Sequence, residues 1–293
     1  MFDKLLFPTD GSDGAAAVFD HVLDVAEAHD ATVHVVNVAD TTRESVSQVR
    51  GQVIDALEQA GARTVQEVAS RASDRGVPTV TDVLQGEPYR TIVDYATTYD
   101  VDLVIMPTHG RRGLERFLLG STTERVVRRS DVPVLTIRPD DDVTVRYPYR
   151  TVLVPTDGSA PSDAALSVGI DVARTASADL HLLSVVDVTS LGVDVRTDVQ
   201  ATALEESAET ILDTATNRAS EAGVDPSATA VEFGGSISRT IRTYVADHDV
   251  DLVVMGTHGR TGFDRYVLGS VTARLVRTAP VPVLTVRGAA DDT

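Results

Sequence analysis

The chain has 293 residues, 42% of them apolar, with 44 acidic against 26 basic side chains and a net charge of −18 at neutral pH. This length suits two domains of ordinary size, each with a core of its own. A surface so negative repels nucleic-acid phosphates, the lack of cysteine excludes disulfides and thiolate chemistry, and no apolar run reaches the roughly 18 residues of a membrane span.

The amino terminus, MFDKLLFPTDGS, enters a strand pattern at once, without the basic region and apolar stretch of a signal peptide, so a cytoplasmic location is expected. Residues 4–8 form a short buried strand and about 14–29 a helix. Alternating apolar residues make 32–38 a second strand. An amphipathic region over about 44–75 follows, interrupted by Gly51 and Gly61. Residues 79–84 are a third strand, 88–99 a helix and 103–106 a fourth strand. A loop then leads to a helix over about 121–129 and a last strand at 132–137.

The same order then returns. Pro8-Thr9-Asp10-Gly11-Ser12 reappears as Pro155-Thr156-Asp157-Gly158-Ser159, and Asp102–Arg138 aligns without a gap to Asp251–Arg287, identical at 23 of 37 positions. The offsets are 147 and 149 residues, so the repeat unit is a whole domain. Strands of the second copy fall near 151–155, 180–186, 228–232, 251–255 and 281–286. Strands alternating with helices predict an α/β fold: two tandem doubly wound domains, each a five-stranded parallel sheet with helices on both faces. Their expected bounds are 1–139 and 150–288, joined by a polar, proline-punctuated linker over 140–149.

Open parallel sheets bind ligands beyond the carboxyl ends of their strands, where the winding reverses. Two loops at that edge carry special residues: the Pro-Thr-Asp-Gly-Ser turn after strand one and the long loop after strand four. In the second copy the latter reads Met255-Gly256-Thr257-His258-Gly259-Arg260-Thr261-Gly262, then six residues, then Gly269-Ser270 opening a helix. Glycines let backbone approach a ligand, and a helix start offers N–H groups to an anion. Ser270 adds a hydroxyl there and also reads as the helix N-cap. The pattern suits a polyphosphate. It is no Walker motif, because Lys4 is the only lysine, and the strand-one turn is no dinucleotide fingerprint. Arg260 and Arg265 read equally as phosphate partners or solvated arginines. His258 stands without a nucleophile beside it and reads as structural.

The Gly256-x-x-Gly259, nine residues, Gly269-Ser270 spacing, the Pro-Thr-Asp-Gly-Ser turn and the closing strand from Val281 together resemble the ATP-binding subclass of universal stress proteins. The resemblance covers nearly the whole chain twice. It implies that Asp157 faces adenine and that the backbone of Val185 borders it. Gly256 then lies by the ribose, and Gly259, Gly269, Ser270 and Val271 hold the phosphates, with Mg²⁺ accompanying them. The first copy keeps Asp10, Val38, Gly110, Gly120, Ser121 and Thr122 but has Pro107 in place of the first glycine. Proline lacks an N–H and adds a ring, expected here where the ribose would lie, so the first copy is expected to bind more weakly or with a shifted ribose.

In that family the final strands pair across a two-fold axis. The tandem chain is therefore expected to be an intramolecular pseudo-dimer, with a homodimer open. The lysine-poor acidic composition resembles that of proteins from salt-loving microbes. An ATP-binding stress-response or signalling module without a dedicated catalytic constellation is the expected function. The alternative is an enzyme of a related α/β nucleotide-binding family, a slow ATPase or an adenylyl transferase.

Overall fold

The structure, a computed structural model, describes residues 1–41, 50–110, 119–140, 142–188, 197–259 and 268–288, with side chains of 50–55 and 197–201 left aside. It divides into two units, Met1–Asp141 and Asp142–Thr293. The first contains β1 (Lys4–Pro8), α1 (Asp13–His29), β2 (Thr32–Asp40), α2 (Arg50–Asp74), β3 (Thr79–Gly86), α3 (Pro88–Thr98), β4 (Leu103–Pro107), α4 (Ser121–Arg129) and β5 (Val134–Ile137). The second repeats the series as β6 (Thr151–Pro155), α5 (Ala160–Ala176), β7 (Asp179–Asp187), α6 (Thr197–Glu221), β8 (Ala228–Gly234), α7 (Ile237–Asp247), β9 (Leu252–Gly256), α8 (Ser270–Thr278) and β10 (Val283–Val286).

Within the first unit the strands run parallel in the order β3-β2-β1-β4-β5, and within the second in the order β8-β7-β6-β9-β10. Both faces are covered, which is why β1, β4, β6 and β9 are near-continuous runs of buried Leu, Val, Ile and Phe. On β2 the alternation is explicit: His34 meets Tyr95 of α3 on one face, whereas Asn37 lies against Gly61 of α2 on the other. A Cβ at Gly61 would run into the Asn37 amide, so this glycine lets α2 lie close to the sheet and does not break it. The part of the expected second helix before residue 50 lies outside the described residues.

Each last strand begins two residues later than its apolar run. Val132 is tied to the Ser130 hydroxyl, and Pro133 can accept a ladder bond but not donate one, so pairing starts at Val134. Pro282 has the same effect before Val283. At the other end, β2 and β3 run on to Asp40 and Gly86, and the extra length of β2 matters below. Residues from Asp142 onward pack with the second unit: Thr144 N–H donates to Pro280 (2.8 Å), and Tyr149 is buried with the Tyr147 ring edge-on 5.1 Å away.

An aspartate, buried in the second unit and half-buried in the first, ties strand one to strand four in each. The Asp251 carboxylate, 4% exposed, accepts the Arg150 and Thr151 N–H groups at 2.7 and 3.2 Å, and Asp102 accepts those of Asp3 and Lys4 at 2.8 and 2.9 Å. Removing the acceptor strands two N–H groups, at a cost of about 3 kcal/mol. Asp251→Ala is therefore expected to lower the thermal midpoint of the second unit by roughly 6–12 °C, with Asp251→Asn milder.

Candidate functional site

The winding of each sheet reverses between strands one and four, and the two strands separate there. The β1–β4 ladder pairs only Leu5 with Leu103 and Leu6 with Val104; the β6–β9 ladder stops at Leu153 with Val253. Above those pairs lies a crevice, closed on one side by the taller neighbour strand. Pairing of β6 with β7 ends at Pro155–Leu183, yet β7 continues to Asp187. Leu183 turns its carbonyl to Thr156 N–H (2.8 Å), and two residues on, Val185 presents its backbone groups to the same open edge. Val38 holds the matching place two residues past Val36, which accepts Thr9 N–H at 2.9 Å.

The strand-one loop is built by its own side chains. Gly158 takes φ +72°, its N–H bonds the Thr156 hydroxyl at 3.2 Å, and the Asp157 carboxylate accepts the Ser159 N–H (3.1 Å) and hydroxyl (2.6 Å). Ser159 in turn caps α5. Asp157 is thus a turn former, as its residue type alone suggests, and its second oxygen is aimed at the strand-four loop. A Cβ on Gly259 would come within 2.6 Å of it. The first unit repeats this: Gly11 at φ +72°, Asp10 on Ser12 N–H (3.0 Å), Ser12 capping α1, and Gly110 directly against the Asp10 carboxylate.

The strand-four loop closes on itself. Thr257 N–H bonds Val286 (3.0 Å), Gly269 N–H returns to the Thr257 carbonyl (2.9 Å), and the Thr272 hydroxyl braces the Gly256 carbonyl (2.9 Å). At Gly269 a Cβ would stand 3.1 Å from the His258 Cα, so glycine permits the crossing. Here Gly269, not Ser270, is the N-cap. It is extended, with φ −57° and ψ 143°, and its carbonyl accepts the first helical bond from Ala273 at 2.8 Å. Ser270, Val271 and Thr272 are therefore the first helical residues, and their N–H groups have no acceptor inside the helix. Gly120 caps α4 in the same way, with Ser121 and Thr122 next. His258 bonds only its neighbour's hydroxyl among the contacts seen (Nδ1 to Thr257 Oγ1, 3.1 Å), and Arg260 and Arg265 lie outside the described residues.

The structure thus brings Asp157, Gly256, Gly259, Gly269, Ser270 and Val271 to one edge, with Val185 along its side. Sequence reasoning missed the bracing threonines, Thr123 and Thr272. Their signal was present, since both follow Gly-Ser by two residues in the two copies. A separate open depression of about 430 Å³ lies at the outer strand, between the end of β8 and α7, lined by Phe233, Ser236 and Arg239 among others. Among the described residues no cluster of His, Asp or Glu is arranged to hold a metal ion, and no helix is long and apolar enough to cross a membrane.

The model of the universal stress protein family matches residues 1–138 and again 148–287. The chain belongs to that family. It is 33% identical over 141 residues to a universal stress protein of Methanocaldococcus jannaschii, covering 47% of this chain and 83% of that one. A universal stress protein of Mycobacterium tuberculosis is 31% identical over 219 residues, 73% of this chain and 71% of its own. A universal stress protein of Archaeoglobus fulgidus has the same fold over 98% of both chains, with a TM-score of 0.74 at 22% identity.

Proposed function

We propose that the crevice of the second unit binds ATP, and that the chain is a stress-response or signalling module whose output follows occupancy. Support comes from one juxtaposition: the Asp157 turn packs on Gly259 directly beside a helix start whose Ser270 and Val271 N–H groups lack intrahelical acceptors. Asp157 and the Val185 backbone would take the adenine, Gly256 the ribose, and the loop with Ser270 the phosphates. Mg²⁺ fits here as a companion of the triphosphate and not as a protein-held ion: it would offset the repulsion between ATP and a chain of charge −18. In this reading occupancy carries the signal. The cytoplasm supplies the nucleotide, and the single lysine among 26 basic residues fits a salt-rich one.

The test is to denature the natively purified chain and identify what it releases by mass spectrometry. ATP at about one equivalent per chain or more is expected. Release of no nucleotide, together with flat calorimetry against Mg-ATP, would overturn the proposal.

A further inference from the structure

We propose that helices α7 and α8 of the second unit form a docking surface for a short acidic segment of another protein, with Arg239, Arg242 and Arg274 as its contacts.

The first unit shows what these arginines lack. Helices α3 and α7 correspond residue for residue: Tyr95 and Tyr244 each reach a strand-two histidine, His34 at 2.9 Å and His181 at 3.2 Å. Arg239 thus matches Arg90, and Arg274 matches Arg125. In the first unit one carboxylate joins both. Glu87, the N-cap residue of α3, meets Arg90 at 3.0 Å and Arg125 of α4 at 2.9 Å. The same guanidinium groups stand 5.8 and 5.0 Å from the centre of the Tyr89 ring. Both arginines are therefore engaged within their own unit.

The second unit keeps the arginines and loses their partners. Ser236 replaces Glu87, Ser238 replaces Tyr89, Thr243 replaces Asp94 and Ala273 replaces Glu124, while Arg242 is added where the first unit has Val93. Residues 87–98 and 121–129 carry four arginines and three carboxylates; residues 236–247 and 270–278 carry four arginines and only Asp247. Among the described residues, Arg239, Arg242 and Arg274 pair with no carboxylate. Arg239 and Arg274 are exposed, and the half-buried Arg242 has an Nε without a hydrogen-bond partner. In a chain of net charge −18 this is a local reversal of sign.

The surface also has a recess for an anchoring carboxylate. Ser236, Arg239, Thr240 and Thr243, spaced i, i+3, i+4 and i+7 along one face of α7, line the depression of about 430 Å³ at the end of β8. Two of these positions carry Glu87 and Asp94 in the first unit. Glu232 lines the same depression from the strand, so an incoming carboxylate is directed to the helix side, at Arg239 and the Ser236 and Thr243 hydroxyls. A partner carboxylate there takes the place of Glu87.

Charge and length select the partner. Helices of 11 and 9 residues are about 16 and 13 Å long, the reach of roughly five extended residues. A polyanion that outruns this face, such as DNA or RNA, meets the repulsion of an acidic chain beyond it, whereas a short acidic segment does not.

Fluorescence anisotropy of a labelled short peptide alternating Glu and Ser, titrated with the full chain, tests this at the lowest salt in which thermal unfolding shows every variant folded. Saturable binding that weakens as salt rises is expected. The triple change Arg239→Gln, Arg242→Gln and Arg274→Gln should weaken it about tenfold. Ser236→Glu, Thr243→Asp and Ala273→Glu together, which restore the carboxylates of the first unit, should do the same. Arg90→Gln with Arg125→Gln in the first unit should change nothing. No saturable binding, or binding that both second-unit variants leave intact, would overturn the proposal. A single-stranded oligonucleotide of equal charge that binds more tightly than the peptide would overturn the choice of partner.

Discussion

Valine at position 259 is expected to weaken Mg-ATP binding by the second unit about a hundredfold, close to 3 kcal/mol, with little loss of fold stability. The effect comes from how the loops meet. Gly259 has no Cβ, and one placed there would come within 2.6 Å of the Asp157 carboxylate. Asp157 cannot swing aside at no cost, because its other oxygen holds the Ser159 N–H and hydroxyl, and Ser159 caps α5. Either the strand-four loop lifts away or the strand-one turn opens, and both separate the adenine side from the phosphate side. Core packing is untouched, since both residues lie above the ladder. Alanine at 259 meets the same oxygen with no further branches and is expected to cost about tenfold. Calorimetry with Mg-ATP on the three proteins checks the ranking; equal affinities would show that the loops do not need to touch.

The second large effect is acid lability of the first unit. His21 lies on α1 with 4% of its surface exposed, and burial pushes its pKa down to about 4, against a weaker upward pull from Asp24. Burial also lowers His29 and His34, the latter with help from Lys4 and against Asp82. A histidine depressed in the fold takes up its proton in the unfolded chain first, from about pH 6.5 downward. Its stabilising effect is complete above that pH and is lost as pH falls towards 4, where both states become protonated. The shift amounts to about 3 kcal/mol lost across that window for His21. The second unit has Val168 at the matching place, so an apolar residue fits there. His21→Val is expected to remove most of this pH dependence. Denaturant unfolding at pH 7 and pH 4.5 measures it; an unchanged pH dependence in the variant would show that His21 titrates normally.

The tandem fold was readable because it is written in local patterns: alternating strands, helical periods, and a turn sequence that appears twice. Gly11 and Gly158 at positive φ are what Pro-Thr-Asp-Gly-Ser predicts. Limits of elements were less readable where a neighbour decides them. Pro133 and Pro282 delay the last strands, and the N-cap moves from Ser270 to Gly269 because the returning chain must pass His258 closely. The place of Val38 and Val185 came only from resemblance; as residues they look like ordinary core, and their meaning depends on β1 and β6 ending early.

Amide resonances of the ¹⁵N-labelled chain, followed during titration with Mg-ATP, test the central claim most directly. Saturable shifts at Gly259, Ser270 and Val271, with Val185 moving at the same ligand concentrations, are the predicted result. Shifts confined to other places, such as the depression beside Phe233 and Arg239, or no saturable shifts at all, would contradict an ATP site at the crevice.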